Sequence, residues 1–178
     1  MESRRYLVPR LLAGLQAGIL GGLGTLVWLF ILSAWNLQSP WTLVNLLAYS
    51  THATSNWELR FSMASVTGIA AHFFTCGVLG IFCGWLLPRP RGFSRVSLGG
   101  LIFGMLLSVM TYELIWRRIA PALGQYIAPA SVWLAHLMFG LSLAQFPRFY
   151  RRLEPELAAD MPPLIDTSRD LTDSGEDD

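Results

Sequence analysis

Charged residues are scarce in this sequence, and one kind of basic residue is missing altogether. Only 14% of the 178 residues are charged, whereas a soluble domain has roughly 25%. All thirteen basic residues are arginine and none is lysine. With 53% hydrophobic residues and so little charge, the chain lacks the polar surface of a water-soluble globular protein. The composition therefore predicts a membrane protein.

Cysteine is also scarce, and the common catalytic motifs are missing. Cys76 and Cys83 are the only cysteines, and a helix would separate them by roughly 10 Å, beyond the reach of a disulfide bond. No Cys/His spacing typical of a metal site occurs. The sequence also lacks a phosphate-binding Gly-Lys-Ser/Thr loop, a His-Glu-x-x-His motif and a Gly-x-Ser-x-Gly motif. We therefore predict no catalytic residue, no metal site and no enzyme activity.

Long apolar stretches are what the sequence has instead. A stretch of about 20 apolar residues can cross the hydrocarbon core of a bilayer as a helix. Four such stretches occur, at 11–34, 61–87, 97–116 and 129–146. We predict an all-α fold in which residues 1–152 form a bundle of four transmembrane helices. The shorter segment Trp41–Tyr49 cannot span, and we expect it to lie flat as an outer interfacial helix.

The carboxyl-terminal segment differs from the rest of the chain. Residues 153–178 hold nine acidic residues and one arginine, with few aliphatic side chains. Such a segment buries too little apolar surface to offset its chain entropy, so we predict a disordered acidic tail. A helix could continue from the fourth span to about Ala159. Ser55–Glu58 has the form of a capping box, which predicts that the second helix begins near Asn56.

The distribution of arginine predicts the orientation. The amino end, the 88–96 loop and the segment after the fourth span hold nine arginines, and the two opposite connections hold three. By the positive-inside rule both termini are expected to be cytoplasmic. The partner surface is then the lipid bilayer and not a nucleic acid.

Glycines follow stripes on the predicted helices. Small residues at spacings of three and four allow helix backbones to approach closely in lipid. The residues that we expect to pack helices in this way are Gly14, Gly18, Gly21, Gly77, Gly80, Gly84, Gly100, Gly104 and Gly140. Because spans one and three carry such stripes and spans two and four each carry a histidine followed by glycine, the two halves may be hypothesised to form a parallel repeat.

Three ionisable side chains fall inside the predicted spans: His72, His136 and Glu113. Intramembrane ionisable groups usually face the bundle interior, and both histidines are expected in the same half of the bilayer. They could form a proton relay, a ligand pocket or a pair of axial ligands to haem b. Alternatively each histidine only bonds a neighbour, with Thr75 and Ser65 as candidates for His72.

Glu113 has two interpretations. Arg117 follows at the fourth residue, which is the favourable order for a helical ion pair. Glu113 could instead turn towards His136 and orient its ring.

The layout resembles a known family. Four glycine-rich spans, the segment His72–Gly80 and the sequence WLAHLMFGL at Trp133–Leu141 resemble the small bacterial inner-membrane proteins of the YagU-like type. The resemblance implies a multi-pass helical protein of the bacterial cytoplasmic membrane and no established activity.

Our leading functional hypothesis is a structural or assembly subunit that packs against itself or a larger complex through its glycine faces. The alternatives are a transporter or proton relay that uses His72 and His136, and a redox subunit that binds haem b.

Overall fold

The protein is described by a computed structural model that covers residues 2–36, 38–49, 60–86, 93–119 and 127–159. Every element in these ranges is helical, which confirms the all-α class. The α-helices are α1 Glu2–Trp35, α2 Thr42–Tyr49, α3 Met63–Leu86, α4 Phe93–Met110, α5 Pro129–Ser142 and α6 Phe146–Ala159. A π-helix, Thr111–Ile119, continues α4, and a 3-10 turn, Leu143–Gln145, joins α5 to α6.

Three stretches are long and apolar enough to cross a membrane: Tyr6–Trp35, Met63–Leu86 and Arg95–Arg118. They correspond to the first three predicted spans. The fourth predicted span, 129–146, is not one continuous α-helix, because α5 has 14 residues and ends at the 3-10 turn. An α-helix of that length is about 21 Å long, shorter than the roughly 30 Å hydrocarbon core.

The start of α3 differs from the prediction. The hydroxyl of Ser62 accepts a hydrogen bond from the backbone of Ala64, and the hydroxyl of Ser65 accepts one from the backbone of Ser62. These reciprocal bonds satisfy free N–H groups of the first turn, so the helix begins at Met63 and not near Asn56. The predicted capping box at 55–58 lies outside the described residues.

Two predicted boundaries also move. The predicted loop 88–96 is shorter than expected, because α4 is already helical from Phe93. At the other end, α6 confirms a terminal helix that reaches Ala159, so the predicted disordered tail cannot begin at Leu153. Residues 160–178, which carry most of the predicted acidic tail, lie outside the described part of the chain.

Glycines bring α1 and α3 into backbone contact. A Cβ atom built on Gly14 would overlap the carbonyl oxygen of Gly80, and one built on Gly80 would overlap the carbonyl oxygen of Gly14. One turn along, a Cβ on Gly18 would overlap the carbonyl oxygen of Cys76, and Gly84 faces the carbonyl of Arg10. Only glycine allows this approach, which brings Cα–H groups against carbonyl oxygens. We call this contact the α1–α3 glycine contact.

A second contact of the same kind joins α4 and α5. A Cβ on Gly100 would overlap the carbonyl oxygen of Gly140, and one on Gly140 would overlap the carbonyl oxygen of Gly100. Gly104 faces the carbonyl of His136 and lies one turn further along. In each pair the later glycine of the first helix meets the earlier residue of the second helix, so both pairs are antiparallel. The two halves therefore repeat one packing arrangement, as the parallel-repeat hypothesis requires.

The short helix α2 does not lie flat on the surface, as the sequence predicted. Leu43, Val44 and Leu46 are fully or almost fully buried, and a Cβ on Gly68 of α3 would overlap the Val44 carbonyl. The Ser65 hydroxyl donates a 2.7 Å hydrogen bond to the Asn45 amide oxygen, which fixes α2 against α3. This helix is therefore part of the protein interior.

Candidate functional site

A cavity of about 340 Å³ lies where the two helix pairs face each other. Aliphatic and aromatic side chains form most of its wall, including Leu29, Leu79, Leu107, Ile115, Trp116 and Phe139. The polar side chains in the wall are Thr25, His72, Thr75, Thr111, Ser131 and His136. No aspartate, glutamate or arginine belongs to the wall that the described residues form. The cavity is therefore apolar, uncharged and supplied with a few hydrogen-bonding groups.

His72 reaches the cavity wall from α3 and bonds to α1. Its Nε2 atom lies 2.9 Å from the carbonyl oxygen of Gly22 and 3.0 Å from the hydroxyl oxygen of Thr25. The Thr25 hydroxyl itself donates to the Gly22 carbonyl at 3.0 Å. Thr75 and Ser65 are thus not the partners of His72, because Thr75 donates to the Ala71 carbonyl and Ser65 donates to α2.

His136 reaches the same cavity from α5. Its Nδ1 atom donates to the carbonyl oxygen of Val132 at 2.8 Å, since a carbonyl can only accept. In a neutral ring Nε2 is then the acceptor, and the Thr111 hydroxyl donates to it at 3.2 Å. Both nitrogens of this ring are occupied within the protein.

The two histidines have corresponding partners in the two halves. Gly14, Gly18 and Thr25 of α1 have the same spacing as Gly100, Gly104 and Thr111 of the third span. Each threonine bonds the histidine of the helix that is paired with its own through glycine. Sequence reasoning missed the two threonines as histidine partners, although the repeated spacing is a signal that could have identified them.

Two polar atoms in the wall remain unpaired. The Nδ1 atom of His72 and the hydroxyl of Ser131 make no hydrogen bond to any described residue, and neither is among the fully enclosed unpaired atoms. The Ser131 backbone carbonyl accepts a 3.2 Å bond from the indole of Trp28, which holds this end of α5 against α1. Both unpaired atoms can therefore be reached by a molecule in the cavity.

Glu113 is not part of this arrangement. Its carboxylate accepts a 2.7 Å hydrogen bond from Arg117, which confirms the predicted ion pair. Half of the Glu113 side chain (52%) is exposed, and the residue does not line the cavity. Exposed ion pairs of this kind contribute little to stability.

The arrangement does not fit haem b held between two histidines. Axial ligation needs an imidazole nitrogen with a free lone pair from each ring. Nε2 of His72 is a donor, and both nitrogens of His136 are occupied, so only His72 Nδ1 is available. Among the described residues no group of three His, Cys, Asp or Glu side chains is close enough to hold a metal ion, and Cys76 and Cys83 are free and buried.

All nine glycines of the predicted packing stripes contact other parts of the same chain. Besides those of the two glycine contacts, Gly21 faces Phe139 and Ser142, and Gly77 faces Leu15. The stripes are therefore occupied within the protein and do not form free surfaces.

The chain matches no protein-family model, no curated protein and no solved structure, so the resemblance to YagU-like proteins stays a prediction.

Proposed function

We propose that this protein is an integral membrane protein that binds one uncharged lipophilic molecule in the cavity between its two helix pairs. The observation that carries the proposal is that His72 and His136, from different halves, line one otherwise apolar cavity. Apolar pockets with a few converging polar groups are the usual form of small-molecule sites.

The outer surface supports a membrane location. Large apolar side chains are exposed along α3, as the sequence predicted for its lipid face: Phe74, Val78, Ile81, Phe82 and Trp85. Similar exposed rows run along α1 and α4. A continuous apolar surface of this size is not stable in water and suits lipid. Because α5 runs antiparallel to α4, a short fourth crossing by 129–146 would return the chain to the side where α4 begins.

The proposed location is the bacterial cytoplasmic membrane, with both termini in the cytoplasm. The support is the arginine distribution, which places most of the basic residues on one side. Fusions to the carboxyl terminus test this directly: a green fluorescent protein should fluoresce and an alkaline phosphatase should be inactive. An active phosphatase fusion would contradict the orientation.

The size of the cavity sets the size of the ligand. Its volume of about 340 Å³ is a little more than twice that of an engineered cavity of about 150 Å³ that holds benzene. A molecule with two fused six-membered rings would therefore fit. Since the wall carries no ionised side chain, a charged ligand would lose its hydration without gaining a counter-charge.

The test is to fill the cavity. Ala135 lines the cavity, whereas Ala130 is exposed on the same helix. We expect 2-methoxynaphthalene to show saturable binding to the purified protein in lipid nanodiscs, measured by its fluorescence. Ala135→Leu should remove the saturable part because the added side chain occupies the ligand volume, and Ala130→Leu should preserve it.

The same variants measure the background. Partition of the probe into lipid is not saturable and is equal in all three nanodisc samples. Saturable binding that persists in Ala135→Leu, or that is missing from the unmodified protein, would contradict the proposal.

The assembly hypothesis keeps less support than the ligand-binding proposal. It relied on glycine faces as contact surfaces, and these faces pack within the chain. The relay hypothesis included Glu113, whose carboxylate is bonded to Arg117 instead.

A further inference from the structure

We infer that the bound molecule carries a hydroxyl group, which donates a hydrogen bond to Nδ1 of His72. This inference rests on the proposed ligand-binding function and specifies the chemistry of the ligand. Its basis is the pattern of occupied and unoccupied hydrogen-bonding atoms in the cavity wall.

The surroundings of His72 determine which nitrogen carries the proton. Nε2 lies 2.9 Å from the carbonyl oxygen of Gly22, which can only accept, so Nε2 is the donor. No carboxylate lies on the cavity wall to balance a charged imidazolium. The ring is therefore neutral, and Nδ1 holds a lone pair without a proton.

The free lone pair selects for a donor. An ether, ester or ketone oxygen has no hydrogen to offer to Nδ1, and its own lone pairs would oppose that of the ring. A hydroxyl supplies the hydrogen without bringing a charge. His136 cannot take this role because Val132 and Thr111 occupy both of its nitrogens.

The Ser131 hydroxyl provides a second polar contact of less selective character. A hydroxyl can donate or accept, so it tolerates either kind of group on the ligand. Selection for a hydroxyl therefore depends on His72. The chemical class that satisfies both the cavity and His72 is an uncharged lipophilic alcohol or phenol of about two rings.

The experiment compares probes that differ in one hydrogen-bond donor. 2-Naphthol has a hydroxyl where 2-methoxynaphthalene has a methoxy group, and both have the same ring system. One net hydrogen bond corresponds to a roughly two- to tenfold difference in affinity. We expect 2-naphthol to bind more tightly by that factor at neutral pH, where its hydroxyl is protonated.

A third probe distinguishes the two sources of the hydroxyl. 2-Decalol is the saturated analogue of 2-naphthol. Its displacement of 2-naphthol would assign the site to alcohols in general, and failure to displace would restrict it to phenols.

Two substitutions of His72 test the role of the ring. His72→Gln retains an amide donor for the Gly22 carbonyl and removes Nδ1, and His72→Phe removes both nitrogens. In either variant we expect the two naphthalene probes to bind equally. The exposed control Ala130→Leu should keep the preference for 2-naphthol.

The outcomes separate the inference from the function on which it rests. Equal binding of both probes to the unmodified protein, or a preference that survives in His72→Gln and His72→Phe, would overturn the hydroxyl assignment and leave the cavity function standing. If neither probe binds saturably, both proposals are wrong.

Discussion

Replacement of Gly80 by alanine should separate the first helix pair. A Cβ atom at this position would lie 2.8 Å from Gly18 Cα and 3.0 Å from Gly18 N, and it would overlap the Gly14 carbonyl oxygen. All three are backbone atoms, so no side chain can rotate away. Ordinary contact begins at 3.4 Å, and the helices must therefore move apart by about 0.6 Å.

The expected loss follows from this displacement. A gap of that size removes a quarter to a half of the dispersion energy between facing atoms. Overpacking of this kind destabilises by about 1–3 kcal/mol, and the lost Cα–H to carbonyl contact adds about 0.5–1 kcal/mol. The higher helix propensity of alanine returns about 1 kcal/mol. We expect Gly80→Ala to lower the free energy of unfolding by about 2 kcal/mol.

The assay is thermal unfolding of the purified protein in one detergent. A loss of about 2 kcal/mol corresponds to a fall in Tm of about 4–8 °C for a chain of this length. The control is Gly99→Ala on α4, where a Cβ meets no atom within 4 Å, so Tm should stay unchanged or rise. Equal Tm values for the two variants would refute the close backbone contact of α1 and α3.

Three further outcomes are expected in the same assay. Gly140→Ala should lower Tm about as much as Gly80→Ala, because its Cβ would overlap backbone atoms in the same pattern; no fall would contradict the repeat. Ser65→Ala leaves the Asn45 amide oxygen unpaired in the interior and should destabilise by about 1–3 kcal/mol, whereas Thr67→Ala removes only an exposed bond on the same helix. Glu113→Gln should leave Tm unchanged within error, since its ion pair is exposed; a large fall would assign this carboxylate a structural role.

The long helices could be predicted because hydropathy reports directly on the length of an apolar segment. The fourth span was harder, because nothing in 129–146 indicates that the α-helix gives way to a 3-10 turn at Leu143. The burial of α2 was also missed. Its leucines suit lipid and protein interior equally well, so composition alone cannot distinguish an interfacial helix from a buried one.

The candidate site was predicted in part. That His72 and His136 share one cavity agrees with the expectation that intramembrane histidines face inward. Their threonine partners lie on other helices, and a single sequence does not show which helices are neighbours. Trp116 shows the same limit: it suits an interfacial position by residue type, yet it is 7% exposed and lines the cavity.

The two glycine contacts have no residue in common, and this separation has a consequence for the order of assembly. Each antiparallel pair can close by itself, since its closest backbone contacts lie within the pair. The cavity then exists only after the two hairpins dock. A cavity ligand would bind the docked form alone, so it would stabilise the union of the hairpins and leave the pairing inside each hairpin unaffected.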